Sequence, residues 1–462
     1  MPVIDRLYNG VFRIDRPFMA NVRRIDQGAL PMVLDMNRRG ILVDPDHFRR
    51  LGARLAAKLA GVEAGITALV GHPVNPTSGD QVARLLFDEL KLEVPGGGRM
   101  TKTQRRMTTG DETLCSMLGL HPVVRMITGG RELVKLKTTY CDALPTHVGP
   151  DGRLRTTFKM YTARTGRLSS ENPNLQNIPV RSEDGREIRA GFIAKPGCVL
   201  SSLDLSQIEM VWAGELAQDE VMLEVYNRGQ DLHVRTACAL FDLDYDRIAP
   251  LWVRYKKGEL DGDLLAQMRD FEMNKRLPAK TLGFAVLYGV TARGLRLQIM
   301  AAGGPCLTED QCDEYIRAWF ALFWGVREWL GVQYSRARRY GMTWTAFGRP
   351  RLIPEVHSAL AGVRNQGLRQ AGNHPDQGSA GDHLKLAMAE IWDGPVQYFR
   401  SYPGVTCDPL LQVHDELIFE LSPRIADEFN WWAGYVMCNA VRPMSVKVKS
   451  SAAVADTWGG LK

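Results

Sequence analysis

Long apolar runs are missing from this chain of 462 residues: none approaches the roughly 20 residues that a membrane span needs. The opening Met1-Pro-Val-Ile-Asp-Arg lacks the apolar core of a secretion signal. Cysteine is sparse and scattered, eight in all, with no CxxC and no Cys/His cluster. The nearest pair, Cys306 and Cys312, falls in a stretch that reads as loop and helix, so neither a structural zinc nor a disulfide framework is expected. Free thiols in a reducing cytoplasm are the expectation instead. Charge of one sign does not dominate either: 58 Lys+Arg against 52 Asp+Glu leave +6, so the local placement of the cations matters more than their sum. What is present, 45% hydrophobic and 24% charged residues, is the composition of a folded, membrane-free protein with two to four subdomains.

Periodicity then divides the chain. Residues 1–27 carry no periodic pattern and read as a lead-in. Residues 28–150 read as helical: Asp44-Pro-Asp46 caps an amphipathic run, Ser78 opens a second helix, and a long helix carries Arg131 to Tyr140. Between them, residues 96–106 combine three glycines with Arg99, Lys102, Arg105 and Arg106, which suits a solvated loop or a finger that touches nucleic-acid phosphates. Strand-like alternation starts after Asp151-Gly152, helices return over 211–340, and strands resume near Met342 and at Leu410 to Leu421. One sheet domain interrupted by a helical insertion accounts for that order.

Three stretches carry candidate chemistry. In Leu200-Ser-Ser-Leu-Asp-Leu-Ser-Gln-Ile-Glu209 an apolar strand ends on Asp204, and Glu209 follows one helical turn on. A strand-end Asp either caps a helix or holds a metal. In Leu410-Leu-Gln-Val-His-Asp-Glu-Leu-Ile-Phe-Glu-Leu421 two apolar half-strands flank His414-Asp415-Glu416, the form of a tight hairpin. Asp204 with Asp415 suggests carboxylates on neighbouring strands, the arrangement that holds two Mg²⁺ ions about 3.5–4 Å apart. Arg276, Lys280, Phe284 and Tyr288 recur every fourth residue, so they wind slowly round one helix as two cations followed by two aromatics, fit for a triphosphate and then a sugar and base. Pro278 predicts that this helix starts close to Arg276. A weaker series, Arg369, Asn373 and Gln377, shares the four-residue step, with Pro375 expected to bend or break its helix.

Taken together, these stretches resemble the polymerase domain of family A DNA polymerases, the bacterial DNA polymerase I type, in a bacterial or phage version. The likeness rests on Thr165-Gly-Arg-Leu-Ser-Ser170, Pro173-Asn-Leu-Gln-Asn-Ile-Pro-Val-Arg181, Asp204-x-Ser-Gln-Ile-Glu209, Asp231-Leu-His233, the stripe ending Tyr288-Gly289, Gly348-Arg349, the Arg369 series and Val413-His-Asp-Glu416. Asn75-Pro-Thr-Ser78, Lys135-Leu-x-Thr-Thr-Tyr140 and Trp458 extend it. The resemblance implies an α+β right-hand polymerase fold with an antiparallel-sheet palm: thumb at 28–150, palm at 151–210 and 341–462, and helical fingers at 211–340. It implies a template-directed DNA polymerase acting on primer–template DNA and deoxynucleoside triphosphates with two Mg²⁺ ions, Mn²⁺ being a substitute. Asp204 and Asp415 would hold the metals, and Lys280 would join them in catalysis. Arg276, Lys280, Phe284, Tyr288, Glu209, Gln207 and His233 would bind the nucleotide, with Tyr288 and Glu209 crowding its 2′ position. Arg167, Asn177, Arg181, Arg369, Asn373, Gln377 and His414 would face DNA, along with the basic loop.

The resemblance also implies a cytoplasmic monomer, with a separate exonuclease or processivity factor as the further partners to consider. The 27 residues ahead of the thumb are too few for a proofreading domain, so intrinsic 3′–5′ proofreading is not expected. Departures from the family pattern are Leu205 for Tyr, Val211 for Arg, and Gly283 and Ala285 for Asn and Gly. None removes a metal ligand or a triphosphate cation, although Gly283 weakens its helix by about 1 kcal/mol relative to Ala. The stretch from Asp231 to Arg276 is longer than usual and adds charged helix of no evident purpose. The competing readings are a single-subunit RNA polymerase, against which Glu209 and Tyr288 argue, and a catalytically silent DNA-binding subunit, against which Asp204, Asp415, Arg276 and Lys280 argue together.

Overall fold

The computed structural model describes residues 16–95, 97, 100, 107–180 and 182–461, with the side chains of 16–18 left aside. Arg99, Lys102, Arg105, Arg106 and Arg181 therefore lie outside the described residues. The strands are β1 Ile41–Val43, β2 Arg153–Leu154, β3 Thr157–Lys159, β4 Ser169–Glu171, β5 Phe192–Ile193, β6 Val199–Leu205, β7 Met342–Trp344, β8 Pro350–Leu352, β9 Cys407–Val413, β10 Glu416–Leu421 and β11 Ser450–Ala455. The principal helices are α1 Arg16–Arg39, α2 Pro45–Val70, α3 Pro122–Leu136, α4 Ile208–Ala217, α5 Leu232–Leu240, α6 Tyr245–Lys256, α7 Gly262–Phe271, α8 Leu277–Leu287, α9 Trp324–Tyr340, α10 Ala361–Ile391 and α11 Ala426–Asn439. This mostly helical chain with small sheets is the α+β class that the sequence implies. It forms two compact units, one of Arg39–Thr157, Asn172–Leu200 and Val454–Lys462, the other of Met1–Arg38, Phe158–Glu171 and Ser201–Ala453.

In the first unit the Asp44 carboxylate accepts the N–H groups of Asp46 and His47, and Pro45 opens the first turn, so α2 starts where the Asp-Pro-Asp pattern puts it. Ile66 of α2 joins Val82, Leu85, Leu86, Val124 and Ile127 in one apolar cluster. Beside it runs the antiparallel sheet β2-β1-β5. Trp458 closes that sheet, its ring 5.3 Å from Phe192 and under the Arg189 guanidinium at 4.4 Å.

The second unit is built on the sheet β11-β6-β10-β9 and on α10. α10 is buried on every side over most of its length, so it shows no apolar stripe. Its small residues let neighbours come close: a Cβ on Gly378 would meet Thr345 Cγ2 at 2.5 Å, and one on Gly381 would meet Arg167 Cγ at 2.9 Å. Three expectations are sharpened here. The lead-in is not free of structure, because α1 crosses residue 28 and buries Val22, Ile25, Ala29, Met32, Val33 and Met36, while Asp26 pairs with Arg349 at 2.8 Å and Lys385 at 2.7 Å. Its turns escape a sequence reading in part because Asp26, set among the apolar residues, serves these ion pairs. Of the bend or break expected at Pro375, the break does not occur: α10 runs through it, held by packing on all sides. The regular helix α8 does start beside Arg276, at Leu277, but not from a loop. α7 passes into α8 through a π-turn, Glu272–Arg276, in which the Leu277 N–H reaches the Glu272 carbonyl. The wider turn accommodates Pro278, which lacks an N–H and would crowd a regular α-turn.

Candidate active site

The two predicted carboxylates meet at one edge of the central sheet. β6 delivers Asp204, β9 and β10 pair in antiparallel register with Val413 opposite Glu416, and the two residues between them, His414 and Asp415, make the turn. His414 takes the left-handed conformation, φ 56°, which a two-residue turn demands. The Leu205 N–H donates to the Asp415 carbonyl at 3.1 Å, so the end of β6 lies directly beside the turn. Burial pushes the Asp415 carboxyl up to about 6; Arg167 opposes the rise, and Glu209 and Asp204 add to it.

Arg167 is the cation among these carboxylates. Its Nη2 donates to Glu209 at 2.6 Å and to Asp415 at 3.2 Å. Glu209, in the first turn of α4, also accepts the Tyr288 hydroxyl at 2.9 Å, and that hydroxyl accepts Gln377 Nε2 at 3.1 Å. A chain of polar groups thus joins the end of α8, the start of α4, α10 and the Asp415 turn. Gly289, in the left-handed region at φ 66°, leaves room for Arg369, whose Cγ would lie 2.6 Å from a Cβ there. Gln207 precedes α4 in the left-handed conformation and accepts the Tyr226 hydroxyl at 3.2 Å.

The stripe on the π-turn and α8 is supported from beneath. Arg276 Nη2 donates to Asp231 at 2.8 Å, its guanidinium lies 4.3 Å over the Trp252 ring, and Trp252 Nε1 donates to the same Asp231 oxygen at 3.2 Å. Lys280 and Tyr288 are exposed and Phe284 is half-buried. The structure does not bring every predicted residue to the surface. His233 is 1% exposed, packs its ring 5.5 Å from Phe284, and burial drives its pKa down to about 3, so it is a neutral support under that ring. Asn373 is 8% exposed, turned into the protein where its neighbours on α10 are packed. Asn177 belongs to the other unit, is exposed, and its carbonyl accepts the Tyr140 hydroxyl. Leu205 and Val211 are both core residues, 2% and 1% exposed.

Two contributors escaped the sequence. Trp252 lies on α6, and no pattern in the sequence singles it out. Asp376 on α10 is completely buried, and its signal, an acidic residue in a run of small ones beside Pro375, is faint. Among the described residues no group of three or more His, Cys, Asp or Glu could hold a metal. Two carboxylates are a donor set that suits Mg²⁺, which keeps several waters and takes its remaining oxygens from substrate phosphates. The lifted carboxyl of Asp415, crowded by other carboxylates, is the local field into which a divalent cation fits.

Comparison with known proteins follows this geometry. The family DNA polymerase family A matches residues 45–257 and 264–460, the interruption falling between α6 and α7. The thermostable DNA polymerase I of Thermus aquaticus is 35% identical over 94% of this chain and 48% of its own length. DNA polymerase I of Deinococcus radiodurans is 34% identical over 91% of this chain and 40% of its own. The chain thus spans about half the length of the curated relatives it matches. A solved structure, the POL domain of Pol1 from M. smegmatis in complex with DNA primer-template and dNTP, aligns at a TM-score of 0.79 with 31% identity, over 96% of this chain and 72% of that one. The fold is of the right-hand polymerase class, and the chain belongs to DNA polymerase family A.

Proposed function

We propose that the chain is a template-directed DNA polymerase that extends a primer 3′-OH with deoxynucleotides. The observation that carries this reading is the adjacency of Asp204 and Asp415 across β6 and the β9–β10 turn, in the same unit as the Arg276, Lys280, Phe284 and Tyr288 stripe. The related Pol1 structure, described as a complex with primer-template and dNTP, supports the same substrates.

Asp204 and Asp415 would hold the ions, and Mg²⁺ there would activate the attacking oxygen and stabilise the leaving group. The protein's own share is positioning and charge neutralisation. Arg276, fixed by Asp231 and Trp252, presents a guanidinium already oriented for the triphosphate, and Lys280 adds a point charge one turn on. Phe284, backed by the neutral His233 ring, offers a face to the sugar. The Tyr288–Glu209 hydrogen bond fixes both groups where a 2′-OH would have to sit, so a ribose loses room and leaves Glu209 competing for its hydroxyl. Arg167 and Gln377, beside the same groups, suit the minor-groove acceptors of the primer end, which are alike for every base pair.

Primer extension with Mg²⁺ tests the reading. Asp204→Ala and Asp415→Ala are each expected to abolish extension while DNA binding persists; undiminished extension by either sinks the metal assignment. Glu209→Ala is expected to raise the rNTP/dNTP incorporation ratio, and an unchanged ratio removes Glu209 as sugar gate. Wild-type protein that prefers rNTPs would instead favour an RNA polymerase.

A further inference from the structure

Asp376 has no part in the mechanism above, yet it lies at the centre of the site's charge. It is completely buried, and neither carboxylate oxygen has a hydrogen-bond partner among the described residues. Arg167, Glu209 and Asp415 all act on it electrostatically. Arg167 is its counterpart: Nη2 is engaged by Glu209 and Asp415, while Nε is buried with no partner. A cation and a buried acid, each with an unmet polar atom, thus stand within electrostatic reach of each other. Burial, with the neighbouring Glu209, pushes the Asp376 carboxyl well above the usual range, as befits an acid that has no cation of its own in this arrangement.

The arrangement also holds a conflict. Asp415 cannot be fully available to a divalent cation while it accepts the Arg167 guanidinium, because the two positive groups repel across one carboxylate. Arg167 must therefore release Asp415 without leaving its charge unpaired in a buried place. Its stem lies against Gly381, so it is braced by the helix that carries Asp376, and only the guanidinium end needs to turn.

We propose that Asp376 is a positioning residue: it is the carboxylate to which Arg167 turns when Asp415 takes up a divalent cation, so that Arg167 stays beside Glu209 while the metal site opens. The inference rests on the polymerase reading for the identity of Asp415 as a metal ligand. It adds that metal uptake and the pose of Arg167 are coupled through a side chain that touches neither substrate nor metal.

Mn²⁺ binding to the full chain, without DNA or nucleotide, is the measurement, followed by electron paramagnetic resonance or calorimetry. Asp376→Val is expected to weaken Mn²⁺ binding about 10-fold, as loss of an outer partner of a ligand does. Asp376→Asn keeps an acceptor in the same volume and should show a smaller loss in the same direction; it carries the comparison if the Val variant fails to fold. In an Arg167→Gln background, where Asp415 is already released, Asp376→Val is expected to leave Mn²⁺ affinity unchanged. Equal loss in both backgrounds would mean that Asp376 acts on the metal by its charge alone, and unaltered affinity in both single variants would mean that it does nothing; either overturns the proposal. Failure of the polymerase reading looks different: wild-type protein that binds Mn²⁺ through Asp415 with the coupling intact yet extends no primer.

Discussion

At the scale of single residues, Asp415 shows a functional group held at a cost to the fold. Its carboxyl titrates at about 6 in the folded chain against 3.8 for the free side chain. The folded protein therefore binds this proton more tightly than the unfolded chain does. Stability from this group is greatest below pH 4, is lost as pH rises from about 4 to about 6, and stays lost at neutral pH. The two-unit difference corresponds to at most about 3 kcal/mol. Asp415→Asn is expected to raise the unfolding midpoint of metal-free protein at pH 8 by a few degrees, and to have little effect at pH 4, while removing extension. At limiting Mg²⁺, wild-type extension should rise with pH through about 6 and shift to lower pH as Mg²⁺ is raised, because metal and proton compete for one carboxylate. A midpoint at pH 8 that falls in the Asn variant would show the Arg167 pair to be worth more than the burial it offsets. Asp204, Asp415, Glu209 and Tyr288 were legible in the sequence because each sits at a local signal: a strand end, a tight turn, a first helical turn, a four-residue step. Arg167 could not be placed among them by spacing, since 248 positions separate it from Asp415. Asp376 needed the fold itself, because only burial makes a lone acidic residue unusual.

At the scale of elements, the charged helical stretch ahead of Arg276 has a packing role. α6 and α7 pack Trp252, Met268 and Phe271 against Val234, Ala237 and Cys238 of α5 and Ala279 of α8, making a small core of their own. That core puts the Trp252 ring under Arg276 and its indole N–H on Asp231, so the cation proposed to meet the triphosphate is braced from beneath by α6. A cation–π contact with a ring this buried is worth up to about 2 kcal/mol. Trp252→Phe keeps a ring but loses the N–H to Asp231, and it is expected to raise KM for dNTP several-fold with kcat less affected. Trp252→Ala should add a folding defect of about 3–5 kcal/mol. Steady-state extension with thermal unfolding separates the two effects; an unchanged KM in the Phe variant would leave α6 and α7 a purely structural role. The elements that sequence patterns described well were those with their own end signals, such as α2 with Asp44 and Pro45. What it did not show is continuity: the chain stays helical past Pro278 through a π-turn and past Pro375 in a helix buried on all sides.

At the scale of the whole chain, the order helical module, sheet, helical insertion, sheet does not reveal how the segments are shared between the two compact units. Both units are assembled from three separated segments, and Val454–Lys462 returns to the unit built mainly from Arg39–Thr157. What holds that last segment in place is Trp458, 1% exposed, edge-on to Phe192 and capped by Arg189, whose Nη2 also donates to the Ile178 carbonyl at 2.9 Å. Phe192 in turn packs edge-on against Phe48 of α2 at 5.7 Å, so the end of the chain completes a stack of rings begun near residue 48. Trp458→Ala removes the ring at one end of that stack and the face on which Arg189 lies, a buried large-to-small change costing about 3–5 kcal/mol. Trp458→Phe, which keeps a smaller ring, should lose less. Because the candidate catalytic groups lie in the other unit, Mn²⁺ binding by the Ala variant well below its lowered unfolding temperature is expected to match wild type. Thermal unfolding alongside Mn²⁺ titration reads both quantities on one sample. A Trp458→Ala protein as stable as wild type would show that the returning segment is held by backbone pairing alone, through the Ile193–Thr457 bridge and the hydrogen bond from the Ala194 N–H to the Asp456 carbonyl at 2.9 Å.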